Sequence, residues 1–419
     1  MSELSYLEKL LDGVAVEWLP LGKLGELVRG SGLPKSVFTE SGIPAIHYGQ
    51  IYTFYGLSTE TTKSFVSLQT AEKLKKVNTG DVVITNTSEN FADVGKALVY
   101  LGAEQAVTGG HATIFKPNIG VIGKYFAYFT QTDSFAIEKR KYSKGTKVID
   151  VSATDMAKIT VPIPCPDNPE KSLAIQSEIV RILDTFTALT AELTAELTMR
   201  KKQYNYYRDQ LLSFTESEVE WKTLLEACDY VDYRGKTPKK TQQGIFLVTA
   251  KNIRMGYIDY ETSQEFISEA DYADVMRRGL PNKGDVLITT EAPCGFVAQV
   301  DRENIALAQR VIKYRSKNIK LSNSFLKHYL LGCQFQDDLM RAATGSTVKG
   351  IKGSKLHQLK IPIPSEVEQA RIVAILDKFD TLTNSIAEGL PREIELRQKQ
   401  YEYYRDLLFS FPKPEEVEA

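Results

Sequence analysis

Two stretches of this chain carry apolar and aromatic residues in steps that alternate between three and four. The first runs through Ile175, Ile179, Ile182, Phe186, Leu189, Leu193, Leu197, Tyr204, Tyr207 and Leu211. The second runs through Ile372, Ile375, Phe379, Leu382, Ile386, Leu390, Ile394, Tyr401, Tyr404, Leu408 and Phe411. Such steps mark the seam of a coiled coil. About 40 residues of helix span roughly 60 Å. Neither helix hides that stripe alone, so the pattern predicts that the two pack on each other. "GLP" at Gly389–Pro391 interrupts the second helix. Proline removes a backbone donor and clashes with the preceding turn, which predicts a kink or a break into two helices.

Ahead of each stripe the pattern changes to short β-like runs between Gly-rich turns. "PAIHYGQI", "DVVITNT" and "KALVYLG" read as strands in the first part, as do "IFLVTAKNI", "DVLITTE" and "FVAQV" in the second. "GKYFAYFTQTDSFAIEKRK" (123–141) and "NSFLKHYLLGCQFQDDLMRAAT" (323–344) each read as one helix. The expected fold class is α/β (α+β) globules in two tandem copies, separated by long helices.

The chain repeats itself with a period near 200 residues. "RKKQYNYYRDQLLSF" (200–214) and "RQKQYEYYRDLLFSF" (397–411) match at 11 of 15 positions. "GVAVEWLPLGKL" echoes "ESEVEWKTLLEA", and "GDVVITNTSE" echoes "GDVLITTEAP". "GTKVIDVSATDMAKITVPIP" echoes "GSTVKGIKGSKLHQLKIPIP", and "RILDTFTALTAEL" echoes "AILDKFDTLTNSI". The offsets stay between 193 and 204, in one order, and chance does not stay collinear over five blocks. The divisions are a first globule at 1–165 with a short N-terminal helix, a spacer at 166–215, a second globule at 216–365, a spacer at 366–412 and a tail at 413–419. Val16-Glu17 and Val219-Glu220 precede the globules, and Val417-Glu418 returns after the second spacer. Two long helices packed antiparallel would bring that tail back toward the start, giving a cyclic, pseudo-two-fold particle.

Composition narrows the function. Hydrophobic residues make up 42% and charged residues 25%, which fits packed soluble domains. The 52 Lys and Arg against 53 Asp and Glu leave a net charge of −1, so any nucleic-acid binding must rest on local patches. Cys165, Cys228, Cys294 and Cys333 are far apart and form no C-x-x-C, which fits a reducing compartment. The N-terminal segment lacks an apolar signal core and no run of eighteen apolar residues occurs, so the expected location is the cytoplasm, without a membrane.

Catalytic signatures are missing from the sequence. No G-x-G-x-x-G follows a strand. In "GSTVKGIKGSK" Ile351 stands where a P-loop needs its lysine. His47, His111, His328 and His357 form no H-x-x-x-H. What remains are basic, Gly-containing loops at matching repeat positions, suited to lie along phosphates. The candidate phosphate contacts are Arg29, Lys35, Lys144 and Lys147 in the first globule, and Arg234, Lys236, Lys239, Lys349 and Lys352 in the second. The candidate base contacts are polar residues after strands: Asn86, Ser88, His111 and Glu291. Tyr204, Tyr207, Tyr401 and Tyr404 continue the helical stripe. For their neighbours Arg208, Asp209, Arg405 and Asp406, interhelical ion pairing and partner docking both stand open.

Together these blocks resemble the specificity (S) subunit of type I restriction–modification systems. The resemblance rests on "LLDGVAVEWLPLGKL", the paired "GDVVITNT" and "GDVLITTE", "TGSTVKGIKGSKLHQLKIPIP", "EQARIVAILDKFDTLT" and the two "YYRD" segments, and it covers essentially the whole chain. It implies that each globule is a target recognition domain reading one half of an asymmetric bipartite site in double-stranded DNA. It implies spacers that fix the gap and dock two modification subunits. It implies a chain that catalyses nothing and binds no cofactor or metal, with S-adenosylmethionine, ATP and Mg on partner subunits, among them ATP-driven restriction subunits. The alternative is a coiled-coil adaptor without sequence-specific DNA binding.

Overall fold

The computed structural model describes residues 6–11, 13–233, 238–317, 319–385 and 388–412. It divides into two units, residues 1–191 with 396–419 and residues 192–395. The helices used below are α1 (Gly123–Phe129), α2 (Asp133–Tyr142), α3 (Pro169–Leu211), α4 (Asn323–Leu331), α5 (Cys333–Ala342), α6 (Glu366–Asn384) and α7 (Gly389–Leu408).

The first unit holds two five-stranded sheets. One orders its strands Gly25–Arg29, Ala112–Pro117, Val82–Thr85, Ala97–Tyr100, Ser58–Thr59. The other orders them Phe38–Thr39, Ser64–Val66, Ile43–Ile46, Ala106–Thr108, Lys75–Val77. The second unit repeats the plan with two four-stranded sheets. These run Cys228–Asp232, Val311–Ser316, Val286–Thr290, Cys294–Gln299, and Lys240–Thr241, Phe266–Ile267, Ile245–Val248, Ile305–Leu307. The "PAIHYGQI" run is a strand only as far as Ile46. His47 then accepts a hydrogen bond from Gly49 N and caps a helix over Tyr48–Thr53. In each unit a first and a last strand close the globule as an antiparallel pair: Val16–Pro20 with Thr160–Pro164, and Glu220–Thr223 with Lys360–Ile363.

The helix expected over 123–141 is two helices, and so is its counterpart over 323–344. Thr132 makes the first break: its hydroxyl donates to Phe129 O and accepts from Phe135 N, capping α2. Gly332 stands at the same place between α4 and α5. The bend lets both helices bury apolar faces. Tyr125, Phe126, Phe129 and Phe135 are buried in the first core, and Phe325, Tyr329, Phe335 and Leu339 in the second.

The first spacer is one helix of 43 residues, opened by Pro169 and by Asn168 Oδ1 accepting from Lys171 N. The second breaks as the Gly-Pro signal predicts, into α6 and α7. Gly389 has φ +80°, where a Cβ would collide with the Thr381 carbonyl. Ile386 of the predicted stripe lies outside the described residues. Near each globule the buried positions step by four: Ile175, Ile179 and Leu183, then Ile372 and Leu376. The predicted Ile182 and Ile375 are half-buried. Here the helix turns its apolar face to the globule rather than to another helix.

The spacer is bolted to the globule by a polar clamp that occurs twice. Gln176 is fully buried; its Oε1 accepts from Ile122 N at 2.9 Å and its Nε2 donates to Gly120 O at 2.9 Å. Gln369 accepts from Ser322 N at 2.8 Å and donates to Lys320 O at 2.7 Å and Pro364 O at 2.8 Å. Two turns on, Asp184 accepts from Tyr128 OH at 2.7 Å and pairs with Lys124 at 2.8 Å. Asp377 meets His328 Nε2 at 2.7 Å, and Lys327 at 3.3 Å. Burial lowers the His328 pKa, so the neutral ring donates through Nε2 and leaves Nδ1 without a partner. The His328 hydrogen bond in turn holds the Asp377 carboxyl below its usual range.

Each core also takes in the end of the other repeat's spacer. Tyr401, Leu408, Phe409 and Phe411 are buried in the first unit, and Tyr204 and Leu212 in the second.

Gln176→Ala strands a backbone donor and a carbonyl at about 2–3 kcal/mol. Two units do not share one transition, so the readout is local. Hydrogen exchange rises over 118–123 while 319–322 stays protected, and Gln369→Ala gives the reverse.

Candidate nucleic-acid interface

In the first unit five of the sequence candidates converge on one end of a sheet. Arg29 ends its strand opposite Thr113, two residues from His111. His111 O accepts from Asn86 N at 2.9 Å. Thr87 and Ser88 pair with Asp150 and Ile149, which lays the loop carrying Lys144 and Lys147 along the same edge. Arg29, His111, Lys144 and Lys147 are exposed and Ser88 is half-buried. The His111 ring lies 4.8 Å from Tyr48, whose ring lies 4.6 Å from His47. Burial lowers the His47 pKa, helped by the charge of the exposed Lys35 and by His111.

Two candidates take other roles. Asn86 is fully buried; its Nδ2 donates to Val151 O at 2.7 Å and its Oδ1 accepts from Thr113 at 3.0 Å. Its amide is used up in tying the edge loop to the sheet, so it does not face a base. Lys144 pairs with Asp155 at 2.9 Å, as does Lys158. The hydrogen bonds from Lys144, then Lys158 and Ser152, hold the Asp155 carboxyl well below the usual range.

The second unit builds the same edge from different side chains. Arg310 O accepts from Thr290 N at 2.8 Å, as His111 O does from Asn86 N. Glu291 bridges Gly350 as Thr87 pairs with Asp150. A groove of about 530 Å³ opens here, lined by Glu291, Arg310, Gly350 and Lys352 among others. Glu291, Lys349 and Lys352 are exposed, and Lys239 is exposed beyond Asp232. Arg234 and Lys236 lie outside the described residues. The edge loop turns alike in both units: Gly145 has φ +98° and Gly345 φ +109°, where a Cβ would collide with the Val148 or Val348 carbonyl.

Among the described residues no group of three His, Cys, Asp or Glu is placed to hold a metal, and no helix is long and apolar enough to cross a membrane.

A model of the Type I restriction modification DNA specificity domain matches residues 15–199 and again 216–396. The chain belongs to the type I restriction–modification specificity family. It is 42% identical to the type I restriction enzyme EcoR124I/EcoR124II specificity subunit of Escherichia coli, over 100% of both chains. It is 37% identical to the EcoprrI specificity subunit of Escherichia coli, over 93% of both. The fold is also that of the S subunit from M. genitalium, with TM-score 0.53 at 15% identity over 96% of this chain and 98% of that one. A chain solved in work on complex assembly of a type I R-M system superposes with TM-score 0.61 at 16% identity, over 94% and 97%.

The repeated tyrosine segments of this specificity-family chain are partly structural. Tyr401 is buried, and Tyr404 stacks on Phe186 at 5.2 Å. Tyr204 is buried, and Tyr207 stacks on Phe379 at 5.9 Å. Arg208 pairs with the adjacent Asp209, and Arg405 with the adjacent Asp406, so both ion pairs close within one helix. Asp209 also accepts from Cys333 N at 3.2 Å at the start of α5. Two tyrosines outside the sequence candidates, Tyr206 and Tyr403, are the most exposed of these segments, at 62% and 64%, against 47% for Tyr207 and 39% for Tyr404. Their signal was present: they are the middle members of "YNYYRD" and "YEYYRD", off the stripe.

Beyond Ser88 the chain turns through 89–95 under a buried lysine. Lys139 Nζ donates to Phe91 O at 3.0 Å, Ala92 O at 3.4 Å and Val94 O at 2.6 Å. Leu339 fills this place in the second unit, behind Gly295 as Lys139 lies behind Gly95. Burial pulls the Lys139 pKa down to about 8. Above that pH the folded chain gives up a proton that the unfolded chain keeps to about 10.4. Wild type therefore gains stability relative to Lys139→Met by about 1–2 kcal/mol between pH 7.5 and 9.5. Denaturant unfolding of the first unit at the two pH values measures it, and Lys139→Met raises hydrogen exchange over 91–94.

Proposed function

We propose that this chain is the non-catalytic DNA-recognition subunit of a type I restriction–modification complex. Each globule reads one half of an asymmetric, bipartite site in double-stranded DNA. The observation that carries the reading is the sheet edge built twice on one backbone plan, with different exposed side chains in the two units. A shared frame docks both edges on duplex DNA alike, and the differing side chains meet different bases. Basic residues at the edge loops, Lys147 in one unit and Lys349 and Lys352 in the other, supply phosphate contacts that position the duplex.

The spacers pair as an antiparallel coiled coil in a pseudo-two-fold arrangement, which sets the gap between half-sites. The ring stacking of Phe186 on Tyr404 and of Phe379 on Tyr207 supports this, since equivalent residues meet in both units. Exposed Tyr206 and Tyr403 offer the same aromatic surface twice, suited to two modification subunits. Those partners bind S-adenosylmethionine and methylate; restriction subunits supply the ATP- and Mg-dependent steps. The work is done on chromosomal DNA in the bacterial cytoplasm.

Exchanging residues 216–365 for the matching globule of another specificity subunit replaces one half of the methylated motif and leaves the other half intact. Modified bases mapped by sequencing read the result, and an unchanged motif refutes the proposal. Replacing Lys147, Lys349 or Lys352 by Ala weakens DNA binding by the assembled complex uniformly across sequences. Each lowers the slope of log K against log salt by about 0.9.

A further inference from the structure

We propose that Arg310 reads guanine in the half-site of the second unit, with Glu291 steering its guanidinium, and that His111 holds the same reading position in the first unit. This rests on the DNA-recognition reading above and names its specificity-determining side chains.

The equivalence of the two positions comes from the backbone. Asn86 N bonds His111 O, and Thr290 N bonds Arg310 O, at 2.9 and 2.8 Å. Each position also has a partner on the neighbouring segment, where the edge loop crosses. Thr87 Oγ1 lies 3.1 Å from His111 Nδ1, and Glu291 lies 3.9 Å from the Arg310 guanidinium. Thr87 pairs with Asp150 and Glu291 bridges Gly350, so the partners are equivalent as well. One pair is neutral and the other charged, on the same frame.

Arg310 is held in a conformation that its side chain does not favour. Its φ is +70°, in the left-handed region that disfavours a residue with a Cβ. Thr290 fixes it there through two bonds to one carbonyl, from N at 2.8 Å and from Oγ1 at 3.3 Å. A strained backbone held this firmly aims the side chain, here over the 530 Å³ groove.

The guanidinium is kept available. Its side chain is 56% exposed, and among the described residues its one ion pair is the long contact to Glu291. Arg315 in the same unit shows the opposite case: Asp285 takes it in two hydrogen bonds of 2.6 and 2.7 Å. An arginine with its fork free, beside a carboxylate that limits its swing, matches the N7 and O6 acceptors of guanine in the major groove. Glu291 itself suits the N4 donor of the paired or adjacent cytosine. Lys352 on the groove's rim suits a phosphate.

The test uses the full chain assembled with its modification subunits, methylating a pool of duplexes randomised across both half-sites. Arg310→Gln and Arg310→Lys are expected to relax one guanine position in the half-site that the exchange of 216–365 replaces. Discrimination there falls roughly 10- to 100-fold, with every other position retained. Glu291→Gln is expected to broaden the same position with a smaller effect, and it serves where an Arg310 variant fails to co-purify with its partners. An unchanged motif in these variants overturns the assignment, as does an equal loss on all sequences with a lower salt slope, which marks a phosphate contact. If the exchange of 216–365 itself leaves the motif unchanged, the recognition reading fails. If the exchange moves the half-site and the Arg310 and Glu291 variants do not, only this inference fails.

Discussion

The buried amide of Gln176, and of Gln369 in the other repeat, carries a constraint on which the rest of the molecule depends. A helix of this length has no tertiary structure of its own, and long solvent-bound helices owe their stability to what covers their apolar face. The amide answers a backbone donor and a backbone carbonyl of the loop ahead of α1 or α4 at once. The amide itself is buried in both repeats and finds its partners only in the loop, so the helix has one rotation about its axis in which both are satisfied. That rotation also places Ile175, Ile179 and Leu183 on the globule, and Asp184 under Tyr128. The direction in which each spacer leaves its globule is therefore set by a polar contact, with hydrophobic burial filling in behind it.

The sheet edge of the same globule is tied down in its own way. Its structural residues are hidden: Asn86 binds inward, and Gly145 and Gly345 turn the loops. Its variable residues face out. The division lets one framework carry unlike exposed side chains without repacking, because changes at exposed positions seldom cost more than about 0.5 kcal/mol.

Block matches revealed the repeat, periodicity the spacers and a Gly-Pro signal the break near Gly389, because all three are local or collinear signals. The helix at Tyr48–Thr53 hid inside an apolar run, and only the capping by His47 gives it away. Asn86 read as a loop residue free to meet a base; its burial depends on Val151, 65 residues later, which no local pattern encodes. Arg310 went unremarked because it follows Gln309 in an ordinary polar turn, and its left-handed backbone has no signature in a residue type that rarely adopts it. Gln176 and Gln369 sit at the same repeat position and were visible as a match, yet a glutamine on a helix reads as a solvated residue until its loop is seen.

The core of the first unit includes Tyr401, Leu408, Phe409 and Phe411, whereas the second unit is drawn from one continuous segment, 192–395. Synthesis runs from the N-terminus, at about 5–20 residues per second. The second globule then has every residue of its unit before the first has all of its own. The half of the protein made first is the last able to finish folding, and for the 10 seconds or more that it takes to make some 200 further residues its apolar surface waits for chain not yet made.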